Sequence, residues 1–463
     1  MKKNHPFIKK CVEIHRAKST PRGESAAEKI VEKLNKKAVD RLTVLFCNVH
    51  ALVQHRRPFT DYPWILELDK KKGIDVGNTY NTDKEAQIFS FFIAQEARNN
   101  IKKFMNKCPF ISVITDGATD KSVKEQEIVY CRSSNAGLVD TYYIGIGEPE
   151  RADANGIISV IDTVFESLDI KDYKDKLVGF GSDGASVNTG KKNGVIAKLR
   201  ESQPCIIGVH CHAHRLELAY KDAMRKYPSH KTLEELLDGL YLFYHNSPLN
   251  RSDLGRSCEV LDVPKVVPAR IGGTRWLSHW LRALENLWKA YPGIVSHLQT
   301  LTHTSQVPKR TTDAVGKANG YLKMLLNFDI LVYAHFMTDV IKVLSTLSLF
   351  LQHEKATVSE VYLKVLATMA VLEQYKNKDG PILKKFVQLL ELDKGMFHGF
   401  KINRIERSRD NAALKFPREG TIDRLVDCLN GRFDEQQSRI LKATKLADFL
   451  GWPKRSNYAG INF

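Results

Sequence analysis

The spacing of apolar and polar positions changes along the chain, and the two ends share one kind of pattern. The first segment with apolar residues at helical spacing is AAEKIVEKLNKKAVDRLTVLFCNVHALVQ, which predicts an amphipathic helix. Pro58 disfavours helical geometry at the residue before it, so this helix should stop near Arg56–Arg57. From Thr232 onward nearly every segment again has helical periodicity. The sequence therefore predicts a helical leader, residues 26–108, and an all-helical region, residues 231–463.

Between these regions, runs of β-branched and aromatic residues alternate with helical segments. FISVITDG and KLVGFGSDG each end in Asp-Gly, which is typical of a buried strand followed by a turn. EIVYCRSS and LVDTYYIGIG, separated by Asn135 and Gly137, predict a hairpin, and CIIGVHC predicts a fifth strand. The remaining segments predict helices, the first with Asn155 as its N-cap. The order β-β-β-α-β-α-β-α indicates an α/β fold, a mixed sheet with flanking helices, over residues 109–230.

Composition narrows the class of protein. The hydrophobic share of 43% and the charged share of 27% are ordinary for a globular chain and exclude a disordered or collagen-like one. Lys and Arg number 70 against 53 Asp and Glu, so the net charge is +17. Such a surplus favours polyanionic partners, most often nucleic acid. A solvated helix face explains the basic character of the leader equally well.

Neither secretion nor membrane insertion is expected. The eight cysteines include no Cys-x-x-Cys pair, and the start, MKKNHPFIKKC, contains no apolar core of a signal peptide. Both observations favour a reducing compartment. The longest apolar stretch, Asn327–Gln352, contains Asp329, His335, Asp339 and Lys342. A membrane span tolerates such residues poorly, so this stretch predicts a buried helix.

Two acidic residues are candidates for chemistry. Asp116 and Asp183 each follow an apolar run and precede a glycine, so each carboxylate should emerge at the edge of the sheet. If strands one and four are neighbours, the two carboxylates meet there and can share a Mg²⁺ ion, which usually takes one or two carboxylates. The alternative is that each Asp only stabilises a turn, since Asp-Gly pairs are common in turns.

Several motifs, taken in order, resemble those of hAT-superfamily transposases and of host proteins derived from them. They are ITDGATDKSVKEQEIVYCR, GFGSDGASVNTGKKNGVIAKLRE, VHCHAHRLELA and GGTRWLSHW. They are preceded by RPFTDYPWILELDKKKGIDVGNTY, which resembles the leader of a vertebrate, zinc-finger-fused subgroup. The resemblance implies an RNase H-like fold in which three acids bind metal ions, Asp116 matching the first and Asp183 the second. Arg275 and Trp276 match the nucleic-acid contact, where the tryptophan packs on a flipped-out base.

The HCHAH segment invites a zinc interpretation. However, the turn from strand to helix sends neighbouring side chains apart, and no second ligand pair lies nearby in sequence. We therefore expect no zinc site in this chain. The resemblance implies instead that Cys211 and His214 match a Cys-x-x-His motif that supports the active site.

The third acid of the family is not recognisable. The resemblance implies a glutamate on a helix after the long helical insertion, followed by a dimerisation segment, and the sequence shows neither before GWPKRSNYAGINF. Glu406, in RIERSRD, is the nearest imitation, but we interpret it as a surface residue. Residues 1–25 are interpreted as a basic tail in which His5 and Cys11 are the remnant of a zinc finger. We therefore expect a vestigial site with weak Mg²⁺ binding.

Three functions fit this sequence. The first is a domesticated, catalytically inactive transposase-like protein of the nucleus that binds DNA without sequence preference. The second is a nuclear scaffold for protein partners in chromatin or SUMO pathways, as the resemblance implies for some relatives. The third is an active DNA transposase that obtains its third acid from elsewhere. Salt-dependent DNA binding separates the first two, and metal-dependent nicking identifies the third.

Overall fold

The chain forms two compact units, Met1–His210 and Cys211–Phe463. The structure is a computed structural model, and it describes residues 10, 13, 27–135, 138–273, 276–303, 312–353, 356–391, 393–403 and 417–433. Each unit buries hydrophobic residues of its own. The predicted limits of the tail, leader, core and helical region stay predictions.

Helices form the first part of the first unit. These are α1 (Ala27–Gln54), a 3₁₀ turn (Phe59–Asp61), α2 (Tyr62–Lys71) and α3 (Asp83–Lys107). They share a core in which the rings of Phe46 and Phe89 stack with centroids 4.4 Å apart. α3 begins with a capping box, because the Thr82 hydroxyl accepts from the Glu85 N–H while the Glu85 carboxylate accepts from the Thr82 N–H. α1 ends before Pro58, as predicted.

A five-stranded mixed sheet forms the rest of the first unit, with strand order β3-β2-β1-β4-β5. The strands are β1 (Ile111–Thr119), β2 (Glu125–Asn135), β3 (Leu138–Gly147), β4 (Leu177–Ser182) and β5 (Ile207–His210). β1, β2 and β3 are antiparallel neighbours, whereas β4 runs parallel to both β1 and β5. The predicted strands and the predicted neighbourhood of strands one and four are therefore confirmed.

Four further helices of the first unit contribute residues to the hydrophobic core of this sheet. They are α4 (Ala154–Ser167), α5 (Tyr173–Lys176), α6 (Ser186–Thr189) and α7 (Val195–Ser202). α4 packs so closely on β3 that a Cβ at Gly145 would lie 2.8 Å from the methyl groups of Val164. The predicted N-cap Asn155 is wrong: Asp153 is the cap, because its carboxylate accepts from the Gly156 N–H at 2.9 Å. The side chain of a helix N-cap accepts from the backbone N–H two or three residues later, and Gly156 is three residues after Asp153.

The second unit is helical in most of its described residues. Its helices are α8 (His212–Met224), α9 (Pro228–His245), α10 (Pro248–Val260), α11 (Trp276–Thr302), α12 (Thr312–Leu325), α13 (Phe328–Leu351), α14 (Val358–Gln374), α15 (Pro381–Leu389) and α16 (Arg418–Phe433). A small antiparallel sheet is formed by β6 (Leu390–Glu391), β7 (Met396–Phe397) and β8 (Phe400–Lys401).

The apolar helix α13 lies inside this unit. In the described part of the chain it is the helix that is long and apolar enough to cross a membrane, yet 78% of its 18-residue apolar window is buried. Of its 24 residues, 16 are buried, including His335 and Asp339. The predicted buried helix is confirmed. The fold class is confirmed as well: a mixed sheet with flanking helices, an N-terminal helical region and C-terminal helices.

Candidate functional site

Asp116 and Asp183 occupy equivalent positions on neighbouring parallel strands. The last residues paired between β1 and β4 are Ile114 and Gly181. Asp116 and Asp183 each lie two residues further along the chain. Asp116 is exposed and Asp183 is half-buried. The register thus brings both residues to the same edge of the β1–β4 pair. A metal ion shared between them stays a prediction.

Strand β1 is longer than the sequence indicated. The Asp-Gly pair at Asp116 was expected to end the strand, but β1 continues to Thr119 and stays paired with β2 as far as Glu125. The turn comes later, where the Asp120 carboxylate accepts from the backbone N–H groups of Ser122 and Lys124. Asp116 is therefore still paired with the antiparallel strand β2, but it lies beyond the residues of β1 that pair with the parallel strand β4. β4 ends at Ser182, so Asp183 is the first residue after its strand, one position beyond the strand's end.

The Asp183 side chain organises the turn that follows it. Its Oδ1 accepts from the Ala185 N–H at 3.1 Å and from Asn188 Nδ2 at 2.8 Å. These bonds hold the short helix α6 against the end of β4. Gly184 is required beside it, because a Cβ there would overlap the imidazole of His210. One oxygen of Asp183 is therefore committed to the protein itself.

A third carboxylate, Glu127, lies on the other side of β1. It pairs with Gly117 across the strands, where a Cβ on the glycine would be 2.7 Å from Glu127 Oε2. Glu127 is only 6% exposed. Burial raises the pKa of its carboxyl, the neighbouring Thr115 hydroxyl opposes that rise, and the negative charges of Asp116 and Asp183 add to it. Glu127 thus shares the electrostatic environment of the aspartate pair.

Sequence reasoning missed Glu127, although a signal was present. Side chains of a strand alternate between its faces, and Glu127, Val129 and Cys131 share one face of β2. Val129 and Cys131 are fully buried, so the strand pattern places an acid in an apolar row. A buried carboxyl in such a row indicates a special environment, because burial penalises its charged form.

The candidate metal ligands at this edge are the carboxylates of Asp116 and Asp183, which are of the type that hard cations prefer but are only two in number. Carboxylate oxygens are the ligands that Mg²⁺ prefers, and two of them are enough when water and phosphate complete the shell. Within the described residues, no three His, Cys, Asp or Glu side chains are grouped so that they could hold one metal ion. Glu406, the nearest imitation of a third acid, lies outside those residues. Two carboxylates match the number of protein ligands that Mg²⁺ usually takes, and binding of Mg²⁺ by Asp116 and Asp183 stays a prediction.

Cys211 and His214 stand at the start of α8, in the second unit. Cys211 is exposed and is the N-cap residue of the helix, and its carbonyl accepts from the Arg215 N–H at 3.0 Å. His214 lies in the first turn and is half-buried. The two residues are three positions apart on one turn. Their supporting role stays a prediction.

Trp276 is the first residue of α11, and Arg275 lies outside the described residues. The Trp276 indole is half-buried against the core of the second unit, which is the usual situation of a structural tryptophan. On α8, however, Lys221 places its ammonium nitrogen 4.6 Å from the centroid of the indole ring. A cation at this distance is attracted by the electron-rich face of the ring.

Glu217, also on α8, caps the helix that starts with Trp276. Its Oε2 and Oε1 lie 3.3 Å and 3.4 Å from the backbone nitrogen of Leu277, which donates to them. Glu217 is 7% exposed, and burial raises its pKa to about 7, against the opposing effect of the backbone N–H groups of Leu277 and Trp276. A signal was present in the sequence here too, because Glu217 shares the buried helix face with Tyr220 and Met224.

One comparison with known proteins identifies part of the chain. Residues 81–194 match the family DUF4371, described as ZMYM1/FAM200, RNase-like domain. The match extends over α3 and β1 to β4 and includes Asp116, Glu127 and Asp183. The resemblance to transposase-derived proteins is confirmed at the level of an RNase-like, transposase-related domain. Membership of the hAT superfamily stays a prediction.

Proposed function

We propose that this chain is a transposase-derived nuclear protein that binds nucleic acid without cutting it. The observation that carries the proposal is the placement of Asp116 and Asp183 at equivalent positions of adjacent parallel strands, inside the segment that matches an RNase-like domain. In metal-assisted phosphodiester cleavage, carboxylates at such positions hold cations against the scissile phosphate. A chain that keeps this edge is suited to hold a nucleic-acid backbone.

Two features support the loss of cleavage. The Oδ1 atom of Asp183 already accepts two hydrogen bonds from the turn after β4. Glu127, a further carboxylate on β2, projects from the face of the sheet opposite to Asp116, because it pairs with Gly117, and Gly117 and Asp116 alternate between the two faces along β1. Two-metal phosphoryl transfer needs enough carboxylate charge to hold both ions beside one phosphate. The pair can bind one Mg²⁺ ion weakly, but it is poorly suited to hold two.

The charge of the chain supports binding to a polyanion. The net charge of +17 favours contacts with phosphates, which contribute affinity without sequence preference. A non-specific affinity of about 10⁻⁴ to 10⁻⁶ M at physiological salt is the expected range. Contacts of this kind weaken steeply when salt is added, because binding releases counterions from the nucleic acid.

The test measures binding and cutting separately. Fluorescence anisotropy of labelled DNA, single-stranded and duplex, should give an affinity that falls linearly on a logarithmic salt scale. Incubation of the same DNA with Mg²⁺ or Mn²⁺ should produce no nicks, for the chain and for Asp183→Asn alike. An absence of salt-dependent binding would contradict the proposal and favour a protein-interaction scaffold. Nicks that disappear in Asp183→Asn would instead identify an active nuclease or transposase.

A further inference from the structure

A cavity in the first unit lies between α1 and the second half of the leader motif, KKKGIDVGNTY. The lining residues on α1 include Ala38, Arg41 and Leu42. The volume of the cavity is about 890 Å³, within the range of about 300–1,000 Å³ that is typical of ligand sites. The aspartates of the sheet edge do not line it, so the proposed function leaves this cavity unexplained.

The loop that forms one wall of the cavity has an unusual backbone that is held in place. Gly73 and Gly77 have φ angles of +77° and +71°, which glycine adopts without steric cost. Tyr80 has a φ of +63°, which is uncommon for a residue with a side chain. The hydroxyl of the buried Tyr62, on α2, donates to the Tyr80 carbonyl oxygen at 3.0 Å. Backbone strain of this kind persists where the surrounding structure fixes it, and it is frequent at binding sites.

The rim of the cavity has a surplus of positive charge. Arg41 donates from Nε and Nη2 to the two carboxylate oxygens of Asp75, each at 2.8 Å, and so attaches the loop to α1. The guanidinium holds the pKa of the Asp75 carboxyl below its usual range, so the two charges cancel. Lys37 lies 4.0 Å from the same carboxylate and is 77% exposed. Lys70 is exposed too, and in the described part of the chain no carboxylate lies within 4.0 Å of its ammonium.

The most buried residues that line the cavity are apolar. Leu42, Leu45 and Val76 are 9%, 1% and 2% exposed. The one aromatic ring of the lining, Tyr80, is tilted against Phe89 with centroids 5.5 Å apart. An aliphatic surface below a cationic rim fits an aliphatic side chain that has anionic neighbours.

We propose that this cavity binds an acidic segment of a protein partner, with one aliphatic side chain of the segment inserted between α1 and the loop. Burial of that side chain supplies affinity, and the carboxylates of the segment are attracted to the basic rim. A nucleic-acid strand fits less well, because its bases bind to open aromatic faces and the lining here is aliphatic. The inference goes beyond the proposed function, because it assigns a second surface of the first unit to protein partners.

A phage-displayed library of random linear peptides, selected on the full chain, tests the site. The enriched peptides should share an aliphatic residue flanked by Asp or Glu. One of them, synthesised with a fluorescent label, gives an affinity by fluorescence anisotropy. Ala38→Trp fills the cavity from α1 and should weaken this binding roughly 10- to 150-fold, the contribution of one buried aliphatic side chain.

The basic rim has its own pair of variants. Lys70→Glu should weaken binding of the same peptide roughly 2- to 30-fold, since it replaces one exposed ion pair by a repulsion of similar size. Lys71→Glu is the matched control, because this exposed neighbour on α2 does not line the cavity but changes the net charge equally. Both lysines are exposed, so these variants test the site even if Ala38→Trp does not fold.

The outcomes separate this inference from the proposed function. A selection without acidic-aliphatic peptides, or an affinity that is equal in the parent chain and Lys70→Glu, would overturn the peptide site. Displacement of the peptide by single-stranded DNA, together with weaker DNA binding in Ala38→Trp, would assign the cavity to nucleic acid and overturn it as well. Peptide binding that depends on Lys70 in a chain that binds no DNA would support the peptide site and overturn the proposed function alone.

Discussion

The turn after β4 leaves no room for a side chain at Gly184. Gly184 follows Asp183, and a Cβ at this position would overlap the imidazole of His210. The imidazole is a rigid ring, so the overlap is relieved only if the whole ring or the backbone of the turn shifts. This contact makes glycine a requirement of the site.

Replacing Gly184 by Ala should therefore destabilise the end of β4 by about 1–3 kcal/mol, the usual cost of overpacking. Hydrogen exchange of the β4 amides, followed by mass spectrometry, measures the change locally. Gly316→Ala is the control: nothing lies within 4 Å of a Cβ there, and alanine in the interior of α12 should stabilise it by about 0.5–1 kcal/mol. Equal protection of β4 in Gly184→Ala and the parent chain would refute the steric argument.

At the residue scale, the sequence revealed acids at strand ends but not acids inside packed surfaces. Asp183 could be found because an apolar run followed by Asp-Gly indicates where a strand stops. Glu127 and Glu217 lie among buried residues, and the groups that they contact, the Thr115 hydroxyl and the Leu277 N–H, belong to other elements. Only the packed structure shows which backbone groups need an acceptor there.

Glu217 should also affect how stability depends on pH. Its pKa in the folded state is raised to about 7, above the ordinary value near 4.5, mainly by burial. The folded state therefore holds the proton more tightly than the unfolded state between pH 4.5 and 7. Stability from this group is fully present below pH 4.5 and falls by up to about 1.4 kcal/mol per pH unit as the pH rises to 7.

Glu217→Gln removes this titration. The free energy of unfolding of the variant, relative to the parent chain, should rise between pH 4.5 and 7 and then stay level. Urea unfolding followed by tryptophan emission measures it, because Trp276, Trp280 and Trp288 lie in the second unit. A constant difference across this range would show that the carboxyl titrates normally.

At the scale of elements, one buried histidine attaches α13 to its neighbours. The His335 ring stacks between Trp288, with centroids 3.7 Å apart, and Phe386, at 4.3 Å. Its Nδ1 lies 2.7 Å from the Leu331 carbonyl oxygen. Burial lowers the pKa of His335 to about 3, so the ring is neutral in the folded state.

This predicts a loss of stability in acid. Below the ordinary pKa near 6.5 the unfolded state binds a proton that folded His335 does not bind, so stability falls by up to about 1.4 kcal/mol per unit as the pH decreases. His335→Phe keeps the aromatic stack and removes the titration. The difference in free energy of unfolding, variant minus parent, should therefore increase from pH 6.5 to pH 5. A pH-independent difference would mean that His335 titrates with the same pKa in the folded and unfolded states.

The sequence predicted elements better than their ends. Periodicity located the strands, and Pro58 located the end of α1, because both signals are local. The sequence-based prediction misplaced the N-cap of α4 and the end of β1. Both depend on which carboxylate accepts a hydrogen bond from a backbone N–H group. Asp153 and Asp120 provide these acceptors, and several nearby Asp or Asn residues looked equivalent from sequence.

At the scale of the whole molecule, positive charge is the property expected to control binding. The basic leader was the first candidate, but its helix α1 also contributes the buried residues Leu45, Phe46 and Val49 to a core. Deleting residues 1–57 would therefore remove structure together with charge. Lys36 and Lys37 are exposed on the same helix and can be changed without touching the core.

Replacing Lys36 and Lys37 by Glu lowers the net charge of +17 by four. If the leader contacts phosphates, DNA affinity at low salt should fall at least tenfold and the salt slope should become shallower. The matched control makes the same change at Lys384 and Lys385, an exposed pair on α15 in the second unit. An equal loss in both proteins would indicate attraction by net charge alone, and no loss in the leader variant would exclude the leader as a contact.

The burial of α13 has a consequence for how the protein is synthesised. This helix packs against α11, which precedes it, and against α14 and α15, which follow it. A ribosome therefore produces a segment with the hydropathy of a membrane span before half of its cover exists. A transcript with a stop codon ahead of residue 358 would encode a chain in which the side of this segment that faces α14 and α15 stays uncovered. Such a product should be captured by chaperones or the membrane-targeting machinery and degraded, which makes the later helices essential for its survival in the cell.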